Sequence, residues 1–215
     1  MQLDRAEALR YLGYGTHAPD ERTDALLSDC ARELEGLSTV RHTARRYADF
    51  AWDENGVSIG GARFESRQLA AALAGCEQAI AFCATLGAAA DLLRMRYLQT
   101  DLTKAAVMDA AQSAYIEQVC DEACAALRLR CAREGYALTP RFSPGYGDLP
   151  LSDQPMLLAL ANAPKQIGLT CSESFMLTPQ KSVTAIIGLT RGEPACGGER
   201  CAVCEGRETC RFRRR

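Results

Sequence analysis

The chain has 215 residues, of which 47% are hydrophobic and 24% charged, so it can bury a substantial core and most simply forms one domain with a tail. Its net charge of −2 and a pI near 5.8 give no general reason to expect nucleic acid or anionic membranes as partners. Charges close to the first residue and the lack of a long uncharged apolar stretch argue against a signal peptide and a membrane span, so we expect a cytoplasmic protein.

Hydrophobic periodicity, capping residues and turn signals divide the chain into alternating elements. The predicted helices cover 3–12, 20–34, 66–73, 88–97, 102–133 and 152–160. The predicted strands cover 56–59, 62–64, 79–83, 167–170 and 182–189. The helix over 102–133 contains neither Pro nor Gly and is the longest, whereas residues 40–50 show a mixed pattern that predicts no element.

The order of these elements favours an α+β fold, in which a mixed or antiparallel sheet packs against several helices. Strands and helices do not alternate regularly, and no Gly-x-Gly-x-x-Gly sequence follows a strand, which argues against a doubly wound sheet. We expect a domain over 1–192 and a separate small metal-binding tail over 193–215.

The segment Arg141-Phe-Ser-Pro-Gly-Tyr146 predicts a shaped loop rather than a helix. Pro144 lacks an N–H and restricts Ser143, while Gly145 tolerates positive φ. A guanidinium at one end and a phenol at the other suit the binding of a carboxylate and a flat ring. A surface turn with a solvated arginine is the alternative.

A second unusual segment, Glu173-Ser-Phe-Met-Leu-Thr-Pro179, precedes the strand over 182–189. Glu173 stands just before an apolar run that Pro179 closes, so it is either a ligand contact or a solvated or capping carboxylate. We interpret the two segments as two walls of one ligand site.

Together these segments resemble a known family. The order Arg-x-x-Pro-Gly-Tyr, a short helix, Ile-Gly-Leu-Thr and Glu-Ser-Phe-x-x-x-Pro-x-x-Ser-Val is similar to the reactivation domain of cobalamin-dependent methionine synthase. The resemblance is clearest over Arg141 to Val183 and extends more loosely back to about Thr85. In that family the domain binds S-adenosylmethionine and caps a corrinoid held by another module, so that oxidised cobalt can be reduced and remethylated.

The resemblance implies roles for six residues. Arg141 would pair with the carboxylate of S-adenosylmethionine, the backbone at Ser143 and Gly145 would bind its amino acid or nucleoside part, and Tyr146 would face the corrinoid. Glu117, on the long helix, and Glu173 would offset the sulfonium or accept hydrogen bonds from ribose or amine groups. No catalytic side chain is expected, because cobalt itself is the nucleophile.

The tail contains four cysteines within fifteen residues, Cys196, Cys201, Cys204 and Cys210. The spacing Cys-x4-Cys-x2-Cys-x5-Cys, with intervening glycines, allows a short chain to wrap four thiolates around one metal centre. Six arginines and three glutamates between Cys196 and Arg215 give a local net charge of +3, which favours thiolates. Spacing alone does not separate an iron–sulfur cluster from zinc.

The other seven cysteines are scattered over the chain. Cys30, Cys76, Cys83, Cys120, Cys124 and Cys131 are predicted to be small core residues. For Cys171, next to the Glu173 segment, the sequence does not indicate whether it is a core residue.

These observations lead to one main hypothesis, the reductive reactivation of a corrinoid on a partner such as a methionine synthase. S-adenosylmethionine would donate the methyl group, and an iron–sulfur cluster in the tail would donate or relay the electron. The chain lacks an Asp-x-His-x-x-Gly corrinoid-binding sequence, so the partner would supply cobalamin. Two alternatives stay open: a purely reductive iron–sulfur activator that does not use S-adenosylmethionine, and a non-catalytic binding module with a zinc tail.

Overall fold

A computed structural model describes residues 2–15, 17–37 and 40–192, so the cysteine-rich tail lies outside the described ranges. The helices of the described chain are α1 (Arg5–Tyr11), α2 (Glu21–Glu35), α3 (Arg67–Ala72), α4 (Ala88–Thr100), α5 (Leu102–Ala132), α6 (Gln154–Leu160) and α7 (Ala163–Ile167). The strands are β1 (Arg41–Tyr47), β2 (Phe50–Asp53), β3 (Gly56–Ile59), β4 (Ala62–Glu65), β5 (Gln78–Thr85), β6 (Ala137–Leu138), β7 (Thr170–Cys171), β8 (Leu177–Thr178) and β9 (Ser182–Thr190).

A four-stranded antiparallel sheet in the order β1-β5-β9-β6 forms the centre of the fold. The two central strands, β5 and β9, pair along their lengths, from Gln78 opposite Leu189 to Thr85 opposite Ser182. Both strands are apolar and almost entirely buried, because protein covers both faces of the sheet.

The two faces of the sheet belong to two hydrophobic cores. Ile80 and Phe82 of β5 contribute to the core that includes residues of α1, α2, α4 and α5. Ala81 and Cys83, which point the other way, contribute to the core that includes β3, α3, α6 and α7. The sheet is therefore the middle of three layers.

Helix α5 runs for 31 residues, about 46 Å at the usual rise, and packs against α1, α2 and α4. Asp101 caps it by accepting a hydrogen bond from the backbone N–H of Lys104 at 2.9 Å. The amide of the fully buried Gln112 donates to the Ala90 carbonyl at 2.7 Å, which ties α5 to α4.

Two smaller sheets complete the fold. Strands β2, β3 and β4 form an antiparallel meander, and β7 pairs with β8 as a short hairpin. The Gly60-Gly61 turn between β3 and β4 has positive φ at both glycines, which suits the tight turn of a β-hairpin.

The predicted α+β class with an antiparallel sheet and one long helix is confirmed. Two expectations were wrong. Residues 40–50, which predicted no element, contain β1 and the start of β2. The strand predicted over 167–170 begins only at Thr170, because α7 continues to Ile167 and Gly168 ends it in the left-handed conformation, with φ of 69°. Within the described ranges, no helix is long and apolar enough to cross a membrane.

Candidate functional site

The Arg141 segment extends the edge of the central sheet. Thr139 donates its N–H to the Gly188 carbonyl at 3.0 Å, and Phe142 exchanges two backbone hydrogen bonds with Ile186 at 2.9 and 2.7 Å. The side chain of Thr139 also accepts from the Gly188 N–H at 2.8 Å. Arg141 is thus held between two fixed points on β9 and reaches α5.

The guanidinium of Arg141 is buried and surrounded by groups of α5. Its Nη2 lies 2.7 Å from a carboxylate oxygen of Glu117, and its Nη1 lies 2.9 Å from a carboxylate oxygen of Asp121. Nη1 also approaches Cys124 Sγ at 3.7 Å. The Arg141 side chain is 6% exposed, against 27% for Glu117 and 54% for Asp121, so the two carboxylates form the solvent side of the cluster.

Two residues that the sequence assigned to one site, Arg141 and Glu117, are therefore in direct contact. Spacing of four residues on one helix places Glu117 and Asp121 on the same face, so one guanidinium binds both. Among the described residues, the Nε–H of Arg141 has no hydrogen-bond partner, and it remains a donor for a ligand. Burial raises the pKa of the nearby Cys120 thiol, so this sulfur stays neutral at physiological pH.

A groove of about 320 Å³ between α1 and α5 adjoins this cluster. Its carboxylates are Asp4, Glu7, Glu117, Asp121 and Glu122. Small side chains at Ala114 and Ala125 leave the space open. The contribution of α1 and of Asp121 was missed from the sequence, because nothing local indicates that the first helix packs beside residues more than one hundred positions away.

The loop that follows Arg141 is compact and defined by its own backbone hydrogen bonds. The Tyr146 N–H donates to Ser143 O at 3.1 Å, and the Gly145 N–H donates to Leu149 O at 2.8 Å. Gly145 has φ of 89°, and an added Cβ would lie 3.0 Å from Leu151 Cδ2, so glycine is required here. Tyr146 is 65% exposed, which leaves its ring available to a partner.

Asp148 anchors the far end of this loop to α3. One carboxylate oxygen accepts from the Arg67 N–H at 2.8 Å, the other accepts from the Gln68 N–H at 3.2 Å, and the Ser66 hydroxyl also donates to the carboxylate. Ser66 Oγ in turn accepts from the Leu69 N–H at 3.0 Å as the helix cap. The Ser66 cap is a contact within one turn of helix, whereas the Asp148 anchor joins partners about eighty residues apart and has no local sequence signal.

Removing the Asp148 anchor should destabilise the protein in a pH-dependent way. Burial tends to raise the pKa of Asp148, but hydrogen bonds from Ser66 and from the amides of Arg67 and Gln68 outweigh it and hold the pKa below its ordinary value. The stabilisation is therefore complete above the unfolded-state pKa, near 3.9, and is lost as the pH falls through the lower folded-state value.

Asp148→Ala is expected to reduce the free energy of unfolding by about 1–2 kcal/mol at neutral pH, as for loss of a helix cap. Urea unfolding is measured for the wild type and for Asp148→Asn between pH 7 and pH 3. The difference between their free energies of unfolding should become smaller as the pH falls. Glu54→Gln, at an exposed turn, is the matched control. A difference that stays constant with pH would contradict the anchor.

The second predicted wall lies on the β7–β8 hairpin. Glu173 is exposed in its turn, where Phe175 adopts φ of 63° and the Ser172 and Ser174 hydroxyls are 2.9 Å apart. In the described part of the chain, no hydrogen bond or ion pair joins Glu173 to Arg141, Glu117 or Tyr146. Its assignment to the site stays a prediction.

The cysteines divide as expected where the structure describes them. Six are buried: Cys30, Cys76, Cys83, Cys120, Cys124 and Cys131. Cys171 is half-buried. The predicted metal ligands Cys196, Cys201, Cys204 and Cys210 lie outside the described residues, and residues 2–15, 17–37 and 40–192 contain no cluster of three or more His, Cys, Asp or Glu that could hold a metal.

Comparisons with known proteins support the fold. No protein-family model matches the sequence, and no curated protein matches it. A solved structure does match, the crystal structure of the MetH reactivation domain bound to AdoHcy, with a TM-score of 0.59 and 18% sequence identity. The match covers 90% of this chain and 75% of the other. The chain therefore has the fold of the MetH reactivation domain, as the resemblance over Arg141 to Val183 predicted.

Proposed function

We propose that this protein binds S-adenosylmethionine and uses it to remethylate a corrinoid on a partner protein during reductive reactivation. The observation that carries the proposal is the contact between Arg141 and Glu117, which joins the Arg-x-x-Pro-Gly-Tyr loop to the long helix. The solved structure of similar fold holds AdoHcy, the demethylated form of the same compound, which supports this class of ligand.

The described residues suit a zwitterionic ligand that carries an extra positive charge. Arg141 would use its free Nε–H for the ligand carboxylate, since Nη1 and Nη2 already bind Asp121 and Glu117. The second oxygen of Glu117 would accept from the amine or ribose. The acidic groove would stabilise the sulfonium, because its carboxylates outnumber the neighbouring guanidiniums.

The loop would supply the remaining contacts. Backbone groups at Ser143 and Gly145 would bind the amino acid or nucleoside part, and the exposed Tyr146 ring would lie against the corrinoid of the partner. Glu173, on the exposed hairpin turn, would be a further contact for ribose or amine groups.

The proposed reaction needs positioning rather than acid–base chemistry. One electron reduces cobalt(II) to cobalt(I), whose electron pair attacks the methyl carbon; the cobalt–carbon bond forms, the sulfur–carbon bond breaks, and S-adenosylhomocysteine leaves. The protein holds the sulfonium methyl in line with the metal and excludes water. Neither His17 nor His42 is needed as a proton carrier.

The electron would come through the cysteine-rich tail. Four thiols within fifteen residues suit an iron–sulfur cluster or zinc, and we propose that Cys196, Cys201, Cys204 and Cys210 hold a cluster. A cluster supplies low-potential one-electron transfer, which zinc does not. The adjacent arginines would offset the charge of four thiolates.

Titration calorimetry of the full chain with S-adenosylmethionine and with S-adenosylhomocysteine tests the ligand. Saturable binding of both compounds is expected. Methyl transfer is then followed by the absorbance of methylcobalamin when the protein and S-adenosylmethionine are mixed with cob(II)alamin and titanium(III) citrate. Absence of binding would reject the methyl-transfer function and leave the purely reductive activator or the zinc-tailed binding module.

Anaerobic purification with metal analysis tests the tail independently. A brown protein that contains iron and sulfide supports electron transfer, whereas a colourless protein that contains zinc would reject it and favour the zinc-tailed binding module. A Cys201→Ala/Cys204→Ala variant should lose the metal while its S-adenosylmethionine affinity stays unchanged.

A further inference from the structure

Strand β1 forms the long outer edge of the central sheet. In the described part of the chain it pairs with β5 on one side and with no strand on the other. Its register is unbroken over seven residues, from Arg41 opposite Thr85 to Tyr47 opposite Ala79, without a bulge, Pro or Gly. A regular edge of this kind exposes a row of unpaired N–H and C=O groups, which is a template for another strand.

The strand is fixed in place by alternate side chains. Thr43 Oγ1 donates to the Ala161 carbonyl at 3.3 Å, and the Tyr47 hydroxyl donates to the Leu160 carbonyl at 2.7 Å. Because side chains alternate, Arg41 and Arg45 share this face of the strand, about 13 Å apart. None of the seven residues of β1 is buried, so the strand is accessible to a partner.

The charge of β1 is concentrated and largely uncompensated. Arg46, on the opposite face, pairs with Glu134 at 2.5 Å. Arg45 stacks over the Tyr47 ring with its Cζ 5.5 Å from the centroid, and neither Arg41 nor Arg45 forms an ion pair with a carboxylate of the described chain. Two guanidiniums on one face are thus free to bind an anionic partner.

Charge decides which strand fits this edge. A second copy of β1 would bring six guanidiniums together, three from each strand, and like charges directly opposite one another destabilise a sheet. The tail of this chain, with six arginines and three glutamates after Cys196, would also be repelled. The positive charge of β1 therefore disfavours pairing with a second copy of β1 and with the tail. The regular backbone of the edge still accepts a strand of opposite charge.

We propose that β1 is a docking edge for an acidic extended segment of a partner protein, which adds to the sheet as a fifth strand. Backbone hydrogen bonds to the free edge would provide affinity, and carboxylates at alternate positions opposite Arg41 and Arg45 would provide specificity. This surface lies on the opposite edge of the sheet from β6, and it does not depend on methyl-donor binding.

Three labelled peptides with blocked ends test the proposal by fluorescence anisotropy on the full chain. An alternating Glu-Val peptide of four repeats should bind. The matched Lys-Val peptide should not bind, because its charge is reversed. The matched Glu-Pro peptide should not bind either, because it keeps the carboxylates but lacks half of the backbone donors. If the Glu-Pro peptide binds as tightly as the Glu-Val peptide, charge attraction alone explains the contact and the proposal is overturned. If the Lys-Val peptide binds as tightly as the Glu-Val peptide, the proposal is also overturned, because the charge of the peptide then has no effect.

Arg41→Glu/Arg45→Glu should weaken binding of the Glu-Val peptide about tenfold or more. Arg22→Glu/Arg128→Glu, which makes the same change in net charge at exposed positions on α2 and α5, should leave it unchanged. An equal loss of peptide affinity in both double variants would contradict a local binding site on β1. In the wild type, the peptide should slow amide hydrogen exchange over 41–47, and unaltered exchange there would overturn the proposal without any substitution.

Polyanions provide the last control. If duplex DNA or phosphatidylglycerol vesicles bind through Arg41 and Arg45 and the Glu-Val peptide does not, the strand is a polyanion surface and the proposal fails. Saturable binding of the peptide in the presence of either competitor supports a protein partner.

Discussion

Replacing Arg141 by alanine should weaken S-adenosylmethionine binding by roughly 2–4 kcal/mol, the cost of truncating one side of a buried charged contact. The side chain is 6% exposed and is held by Glu117 and Asp121, so its guanidinium has a fixed position beside the proposed ligand. Without it, Glu117 and Asp121 would be the charged groups left in this cluster, and they would repel the carboxylate end of the ligand. Titration calorimetry of the variant and the wild type measures the change.

The same substitution also affects folding, so two controls are needed. Loss of the guanidinium leaves Glu117 partly buried without its partner and should lower the free energy of unfolding by about 2–3 kcal/mol. Urea unfolding shows whether the variant is folded at the assay temperature. Arg191→Ala removes a more exposed arginine that pairs with Glu77 and should leave ligand affinity unchanged. A folded Arg141→Ala variant with wild-type affinity would refute the role of Arg141.

Gly188→Ala should destabilise the protein by about 2–3 kcal/mol, because the added methyl group overpacks a closed part of the core. Its Cβ would lie 2.4 Å from Cys76 Sγ and 2.7 Å from Leu73 Cδ2. Gly188 also exchanges hydrogen bonds with Thr139, at the start of the segment that positions Arg141. Urea unfolding monitored by circular dichroism gives the loss of stability.

A double substitution identifies the cause of that loss. Cys76→Ala removes the sulfur that the new methyl group would meet, so the Cys76→Ala/Gly188→Ala protein should be more stable than the sum of the single effects implies. Gly192→Ala, where the nearest atom is 3.9 Å away, should change stability by less than about 0.5 kcal/mol. If the stability losses of Cys76→Ala and Gly188→Ala simply add in the double variant, the clash with Cys76 is not the cause.

Local signals predicted most of the helices and the central strands. The run from Leu102 to Ala132 lacks helix breakers, and Asp20 and Ser66 are capping residues that accept the expected backbone hydrogen bonds. Strand β1 was missed because its outer position leaves every residue at least partly exposed, so its sequence carries three arginines instead of an apolar alternation. An edge strand of this type depends on its partner β5, which is distant in sequence.

The candidate site was predictable only in part. The family resemblance assigned Arg141, Glu117 and Tyr146 to one site, and this assignment stays a prediction. The structure places Arg141 and Glu117 in contact and leaves Tyr146 exposed on the loop. Asp121 and Asp148 were missed, since each acts through a residue twenty or more positions away. Contacts of that kind arise from how helices pack on the sheet, and no single-sequence pattern reports them.

The hydrogen bonds of the loop after Arg141 have a kinetic consequence. Phe142 fastens one end to β9 and Asp148 fastens the other to α3, so the entropy of ordering the loop is lost during folding rather than on encounter with a ligand. A preorganised loop of this kind requires no slow rearrangement, and ligand association should follow a single exponential whose rate rises linearly with concentration. Rapid-mixing fluorescence would then resolve one phase, with affinity differences among ligands expressed in their dissociation rates.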